Sequence, residues 1–516
     1  MPNESRHGDA PILNGDTTLD EHSREGAAAW TQPESLALVI AYAAGEPWRV
    51  GAVALLPGGS PGASSLLGRG PAVESDTEPR LAFGQQRPGG IEELAALTSP
   101  TISRVQLRLR TEGGRLDVEN VGRCRLLHNG VESQRAQVVP GDTLQLGRSL
   151  LLLCVRRIES MPRPADEYRS HAFGEPDAHG IVGESPVIWR VRQQLAYVAT
   201  RPGHVLLLGA SGTGKELAAR AIHRISAAGT HKLVARNAAT IPDSIADAEL
   251  FGNAKNYPNP GMVQRNGLVG EANGSTLFLD EFAELSAPVQ ARLLRVLDEG
   301  EYQPLGDACA RRSTFRLVAA SNRSESTLKP DLLARLRFRI ELPDLSARLE
   351  DIPLLVRHLL SKSGSLRPAT ARPDPSSASS VRPEDDADAP ISCELIAECL
   401  RRPFATNVRE LESWLAEKVS AAAGQGPILG RASVPSRSPT ASTLPPEAAP
   451  ERDQPGASSS DADEGGELGA AEIQAMLDRH NGVIEATWRA LGLKNRHALA
   501  RLIAKHGIEI RKRPGR

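Results

Sequence analysis

Long hydrophobic runs are missing from this chain. No apolar stretch approaches the roughly 18 residues that a membrane span needs, so the sequence predicts neither a membrane helix nor a membrane partner. The opening residues MPNESRHGDAPILNGDTTLDEHSREG have no basic start followed by an apolar segment, which argues against a secretory signal. Cysteine is scarce: five residues, at 124, 154, 309, 393 and 399, without a CxxC pair. That argues against a disulfide framework or a cysteine metal site and leaves a reduced, cytoplasmic setting as the expectation. An excess of one charge is also missing. The formal net charge is -2 over 516 residues, so nucleic-acid binding has to come from a local patch. Aromatic residues are only 3%, and the cores have to rest on Leu, Val, Ile and Ala.

The length suits about three domains at roughly 150 residues each. Residues 1–33 are polar and aperiodic, and disorder is expected there. Over 34–160, short apolar runs broken by Gly and Pro, with alternation in VQLRLR and the turn-like EGG, predict antiparallel strands and hairpins. Over 178–424 strands alternate with helical stretches: HVLLLG, ELAARAIHRI, STLFLDE, PVQARLLRVLDEG and FRLVAASN predict an α/β domain with a parallel sheet. ISCELIAECLRR and NVRELESWLAEKVSAAA read as further helices. A Ser/Pro/acid-rich insert at 361–389 and a linker at 425–466 look disordered. Residues 467–516 return to helical periodicity.

The stretch GASGTGKE, Gly209 to Glu216, follows an apolar run and opens a helical pattern. This is G-x-x-x-x-G-K in the context that the chemistry requires. Gly209, Gly212, Thr213 and Gly214 let backbone N–H groups curl around phosphates, and Lys215 reaches toward the terminal ones. Glu216 stands where Ser or Thr usually follows the lysine. Downstream, STLFLDE ends an apolar strand in Asp280, suited to Mg²⁺, and Glu281, suited to orienting a water. FRLVAASNR ends another strand in Asn322, either a γ-phosphate sensor or an ordinary turn residue.

Together GASGTGKE, ARNAATIPDSIADAELFG, GSTLFLDE, RLLRVLDEGEYQPLG, RLVAASNR, LEDIPLLVRHLL and NVRELE resemble the AAA+ ATPase domain of bacterial enhancer-binding proteins, which activate the sigma-54 form of RNA polymerase. The resemblance implies ATP with Mg²⁺ at the interfaces of a homo-oligomer, from dimer to hexamer. It implies that Arg409 touches nucleotide and that Asn237 couples Glu281 to the nucleotide state. It also places two basic residues for a neighbouring subunit's site on Lys329 and Arg335, with lysine at the first where the family has arginine.

In that family a loop reading GAFTGA meets the sigma factor. Here the spacing between ELFG and Gly267-Leu268 is kept, but the six positions are Asn256, Tyr257, Pro258, Asn259, Pro260 and Gly261. Two prolines fix φ and remove two donors. Three readings stay open: the loop engages sigma-54 through Tyr257, it engages another partner, or remodelling is lost.

From Leu468 to Arg516 there are ten Lys and Arg against four Asp and Glu, a local basic patch in a nearly neutral chain. Three short helices are expected, with Ala486, Leu491, Leu493, Leu499, Leu502 and Ile503 at helix-turn-helix core spacing. The segment resembles the Fis-type helix-turn-helix. That resemblance puts Lys494, Asn495, Arg496 and His497 at base edges and Arg501 with the basic tail on phosphates of promoter DNA.

At the other end LLGRG, ISRVQL, VENVGRCRLLHNG and VVPGDTLQLG resemble a forkhead-associated (FHA) domain, a β-sandwich that binds phosphothreonine peptides. The resemblance assigns phosphate contacts to Arg69 and Ser103, a flanking role to Arg104 and the peptide backbone to Asn129. Gln106 stands where the family has a histidine that supports the serine loop.

The expected fold is therefore multidomain: an FHA-like β-sandwich, an α/β AAA+ P-loop domain with a small helical lid, and an all-α helix-turn-helix. The leading functional expectation is a sigma-54-dependent transcriptional activator, an ATPase controlled by a phosphothreonine protein or a Ser/Thr kinase. The alternatives are a DNA-binding regulator or repressor that uses ATP only to assemble, and an adaptor whose business is phosphopeptide capture.

Overall fold

A computed structural model describes residue 30 and residues 34–57, 64–74, 76, 78–162, 171–365 and 391–422. The chain divides into two compact units, Met1–Pro435 and Ser436–Arg516, and all described residues belong to the first. The N-terminal tail, most of the 361–389 insert, the 425–466 linker and the helix-turn-helix residues Lys494, Asn495, Arg496, His497 and Arg501 lie outside the described residues.

The first domain is a sandwich of twelve strands: β1 (Glu34–Ala43), β2 (Val53–Leu55), β3 (Ser64–Leu67), β4 (Gly84–Arg87), β5 (Gly90–Glu93), β6 (Leu107–Glu112), β7 (Arg115–Asn120), β8 (Leu126–His128), β9 (Val131–Glu132), β10 (Arg135–Val138), β11 (Thr143–Leu146) and β12 (Leu150–Ile158). One sheet runs β5-β4-β2-β1-β12-β11-β8-β9 and the other β10-β7-β6-β3. The central pair, β1 against β12, is antiparallel with Leu38 opposite Cys154. Both strands are apolar without alternation, LALVIAYA and LLLLCV. A strand of period two that is apolar at every position has both faces covered. Leu36, Leu38, Ile40, Leu150, Leu152 and Cys154 fill the sandwich core. Ala41, Leu151 and Leu153 point the other way, into a cluster shared with the second domain.

That second domain begins with helix α1 (Pro186–Ala199), whose Ser185 cap accepts from the Ile188 N–H at 3.4 Å ahead of a proline in the first turn. It continues through β13 (Val205–Leu208), α2 (Lys215–Ile225), β14 (Val234–Asn237), α3 (Asp243–Phe251), α4 (Gly267–Glu271), β15 (Thr276–Asp280), α5 (Ala287–Glu299), the small pair β16 (Glu301–Tyr302) and β17 (Arg311–Arg312), β18 (Arg316–Ser321), α6 (Pro330–Arg335) and β19 (Phe338–Glu341). The main sheet is parallel, in the order β14-β15-β18-β13-β19. Its strands bury both faces: Leu206, Leu277, Leu279 and Leu317 pack on one side and Val205, Leu207, Phe278 and Val318 on the other. A lid of α7 (Ile352–Lys362), α8 (Cys393–Arg401) and α9 (Asn407–Ala422) follows.

Lid and sandwich share one apolar cluster, in which Ala41, Val50, Leu151 and Leu153 join Leu354, Leu355, Leu395, Cys399 and Leu411. A charged seam runs beside it. The buried Arg157 guanidinium, at the end of β12, donates to Glu350 Oε2 at 2.7 Å, to the Glu184 carbonyl at 2.7 Å and to Gln86 Oε1 at 2.6 Å. Arg87 of β4 is paired with Glu184. Asp351 accepts from the backbone N–H groups of Glu184 and Ser185 at 2.8 and 2.9 Å. The sandwich is thus seated on the α/β domain through both packing and paired charged groups.

Candidate functional site

The C-terminal edge of a parallel sheet is where loops from neighbouring strands converge. Here β13 ends in the Gly209–Gly214 loop, with Gly209 at φ 150°, Gly212 at 77° and Gly214 at 106°, all left-handed backbone that favours glycine. The loop is also crowded: a Cβ on Gly212 would lie 2.2 Å from the Thr406 carbonyl oxygen. Thr213 turns its hydroxyl inward to the Ala210 carbonyl at 2.9 Å. Lys215 opens α2, and its ammonium donates to the carbonyls of Gly209 and Ala210 at 2.8 and 3.1 Å. Burial pushes the lysine below its usual range, while Glu281 and Asp280 nearby act in the opposite sense. Glu216 faces solvent and pairs with Arg220 one turn on, so it stands apart from the loop's inner surface.

Two strands over, β15 delivers Asp280, whose Oδ1 accepts from the Glu281 N–H at 3.0 Å. Glu281 sits at φ 50°, a left-handed turn that ends the strand abruptly. Parallel pairing sets Asn237 of β14 in register with Asp280. The Asn237 side chain accepts from the Ala239 N–H at 2.9 Å. On the other flank Ser321 pairs with Leu208, and its carbonyl accepts from the Gly209 N–H at 3.3 Å, which puts the exposed Asn322 beside the phosphate loop. The topology therefore gathers Lys215, Asp280, Glu281, Asn237 and Asn322 at one sheet edge.

The lid closes the edge from above. Arg409 donates to Ser211 Oγ at 2.9 Å. Two residues that sequence reading passed over do more of the fastening. Asn407, buried and at φ 52°, donates to the Ser211 carbonyl at 3.1 Å and accepts from the Leu345 N–H at 2.6 Å. Arg348, also buried, reaches the Thr213 carbonyl at 3.3 Å. An asparagine opening a helix was the only local signal for the first. Lys329 and Arg335 are elsewhere: Lys329 donates to the Ala287 carbonyl at 3.1 Å, and Arg335 pairs with Asp298, both on α5.

These residues suit a nucleotide triphosphate. The glycine cradle excludes side chains, the lysine already seeks oxygen ligands inside the loop, and the carboxylates follow at the strand end. Among the described residues no group of three His, Cys, Asp or Glu could hold a metal ion.

The segment between α3 and α4 forms a closed loop. Asn253 is buried, and its amide donates to the carbonyls of Ala254 and Val263 at 2.9 and 3.1 Å. Asn256 adopts φ 62°; its N–H donates to the Met262 carbonyl and its Oδ1 accepts from the Gly261 N–H at 3.0 Å. Tyr257 is exposed, at 42%, but not free-standing. Its ring lies over Gly306, so closely that a Cβ there would come within 2.2 Å of it. Pro258, Asn259 and Pro260 are exposed, but the most exposed apolar side chain is Val263, at 77%, with Met262 beside it.

At the apex of the sandwich the loops carrying Arg69 and Ser103 cross in contact. The Arg69 N–H donates to the Ser103 carbonyl at 3.0 Å, and Gly68 has no room for a Cβ against the Arg104 carbonyl. Gln106 is completely buried and supports this loop in place of a histidine. Its Oε1 accepts from the Ser103 N–H at 3.0 Å, and its Nε2 donates to Asn120 Oδ1 and the Cys124 carbonyl at 2.6 and 2.9 Å. Asn129 lies away from them. It forms the β8–β9 turn, and its amide is engaged with Asp142 at 2.7 Å and with the Thr143 N–H at 2.9 Å.

Sheet edge, glycine loop and lid define a P-loop nucleotide-binding domain. Residues 181–352 match the family described as Sigma-54 interaction domain. The chain is 35% identical over 352 residues to the anaerobic nitric oxide reductase transcription regulator NorR of Aeromonas hydrophila, covering 63% of each chain. It is 35% identical over 254 residues to the Nif-specific regulatory protein of Bradyrhizobium diazoefficiens, covering 48% of this chain and 40% of that one. The matches thus span less than two thirds of these relatives' own length. A crystal structure of NtrX from Brucella abortus in complex with ATP aligns with 25% identity and a TM-score of 0.41, over 64% of this chain and 69% of that one.

Proposed function

We propose that this chain is a sigma-54-dependent transcriptional regulator that hydrolyses ATP as a homo-oligomer, binds promoter-upstream DNA through residues 467–516, and takes its signal through a phosphothreonine-reading FHA sandwich. The observation that carries the reading is the convergence of Lys215, Asp280, Glu281 and Asn237 at one sheet edge within a segment matching the Sigma-54 interaction domain. Bound ATP with Mg²⁺ would supply the phosphoanhydride to be cleaved and a cation to neutralise its charge. Lys215 and the loop N–H groups hold the phosphates, Asp280 holds the metal, and Glu281 orients the attacking water, with Asn237 adjacent to govern its position. Lys329 and Arg335, which meet Ala287 and Asp298 of α5, are offered to a neighbouring subunit's nucleotide.

A second reading is favoured by one observation. The Asn256–Gly261 loop is tied down by its own hydrogen bonds, and Tyr257 is laid on Gly306. A motor with such a loop would bind ATP and DNA without opening promoters. The deciding measurement is promoter melting by sigma-54 polymerase, with ATP, on closed and pre-opened templates. Under the leading reading wild type opens the closed template and Tyr257→Ala loses most of that activity while keeping ATP hydrolysis. Wild type that hydrolyses ATP and binds DNA yet never opens the closed template would establish the regulator reading instead.

A further inference from the structure

The contacts around Ser103 point to a phosphate ligand that the sequence motifs do not mark. The Ser103 hydroxyl is met not by the Asn129 turn but by the loop between β7 and β8, whose Arg123 N–H donates to Ser103 Oγ at 3.0 Å. Asn129 is at the far end of the same strand. In the β8–β11 pair Leu126 faces Leu146, and the Arg125 carbonyl accepts from the Gly147 N–H, whereas the Asn129 N–H donates to the Thr143 carbonyl. Three residues of strand separate Leu126 from Asn129, about 10 Å. Asn129 and Gly130 instead face the lid, where a Cβ on Gly130 would come 2.7 Å from the Arg401 guanidinium.

Three arginines therefore surround one serine. The backbones of Arg69 and Arg123 bond to Ser103 directly, and Arg104 follows it in sequence. None of their guanidiniums has a hydrogen bond or ion pair among the described residues. Among the described residues Arg110 and Arg115, on β6 and β7, share this state, but neither lies at the Ser103 crossing. Arg80, which underpins the same crossing by donating to the Arg104 carbonyl at 2.5 Å, is neutralised by Asp76, and Arg108 by Glu78 and Glu119. Arg125, two residues further on, lies 3.7 Å from Glu132. At the crossing itself, carboxylates meet Arg80 and Arg108, and none among the described residues meets Arg69, Arg104 or Arg123. A phosphate monoester carries close to two negative charges at neutral pH and binds best to more than one guanidinium.

We propose that Arg123 is a direct phosphate ligand of the sandwich apex, completing with Arg69 and Ser103 a site for a phosphothreonine peptide in which Asn129 has no part. The assignment rests on the phosphothreonine-sensor reading above. Gln106 anchors the ligand-bearing loop, since its side chain bridges Ser103 to Asn120 and Cys124 on either side of Arg123.

The test is fluorescence polarisation with the full chain and a degenerate peptide pool centred on phosphothreonine, beside the unphosphorylated pool and inorganic phosphate as competitor. Arg123→Gln is expected to weaken binding about tenfold or more, the range for a lost charge-assisted contact, with an unchanged melting temperature because the side chain is exposed. Arg125→Gln, on the same loop, should stay within about twofold of wild type by the small worth of exposed ion pairs. If Arg69→Gln abolishes binding while Arg123→Gln binds like wild type, the sensor reading survives and the Arg123 assignment is overturned. If wild type does not distinguish the two pools, the sensor reading itself falls and takes the assignment with it. Competition by inorganic phosphate at the peptide's own concentration would also overturn it, because the site would then read a bare anion.

Discussion

A Lys215→Ala chain is expected to lose ATP binding, and its hydrolysis is expected to fall by about a hundredfold or more, since a single preorganised donor to a reacting oxyanion is worth 10²–10³ in rate. The geometry explains why this residue outweighs its neighbours. Its ammonium lies inside the glycine loop, within hydrogen-bonding distance of two loop carbonyls. Those carbonyls are weak substitutes for phosphate oxygens, and the buried ammonium would exchange them for charged partners on binding. Burial lowers its affinity for a proton, and Glu281 and Asp280 oppose that. Glu281→Gln separates the two roles: it should bind nucleotide normally and fail to hydrolyse it. Equilibrium binding of a fluorescent ATP analogue, with phosphate release measured in parallel, checks both. Wild-type affinity in Lys215→Ala would remove the site from this loop.

Breaking the Arg157–Glu350 pair has the largest expected effect on stability. Arg157→Ala leaves a carboxylate in the seam between sandwich and ATPase without its cation, and removing one partner of a buried pair costs about 3–5 kcal/mol. The same substitution deprives Gln86 and the Glu184 carbonyl of their donor. Replacing both members together, with Arg157→Met and Glu350→Leu, should recover most of the loss, because well-packed apolar residues of similar volume are often neutral or better. Thermal melting and limited proteolysis between the domains distinguish the variants. Burial raises the Glu350 carboxyl to about 7 despite Arg157. A carboxyl whose folded pKa lies above its unfolded 4.5 gives stability that is complete on the acid side and is lost as pH rises through about 7. Wild type should therefore hold the seam more tightly at pH 6 than at pH 8, and Glu350→Gln should show a flatter profile.

The nucleotide site was the most legible part of the chain, because each of its motifs is local. GASGTGKE and STLFLDE each pair a strand with the residues it presents, and a parallel sheet brings strand ends together whatever the loops between them do. Asn407 and Arg348 escaped because they act across 196 and 135 residues, and nothing in an isolated Asn or Arg announces a distant carbonyl. Asn129 and Arg123 show a different limit. An Asn-Gly turn is a strong sequence signal, but what it signals here is a β-hairpin, while the residue that touches Ser103 sits in an unremarkable GRC. Tyr257 was read as a contact residue from its place in the six-residue loop, and nothing local announces Gly306, 49 positions away, over which its ring lies. The seam was hidden by its charges. Arg157, Glu350, Arg87 and Glu184 look like surface residues, yet the unbroken apolar runs of β1 and β12 already carried the signal of a second covered face.

Those doubly covered strands bear on how deletion variants should be interpreted. A fragment starting near residue 178 follows the boundary that the sequence suggests. It would also strip Ala41, Val50, Leu151 and Leu153 from the cluster they share with Leu354, Leu395 and Cys399, and Arg157 from Glu350. The lid would meet water with a raw apolar surface and a stranded carboxylate, and large exposed patches of that kind promote association. Aggregation or altered turnover in such a fragment would then record a wound to the lid rather than release from a regulator. Point substitutions at Arg69 or Arg123, which leave the seam whole, are the cleaner test of the proposed sensor role.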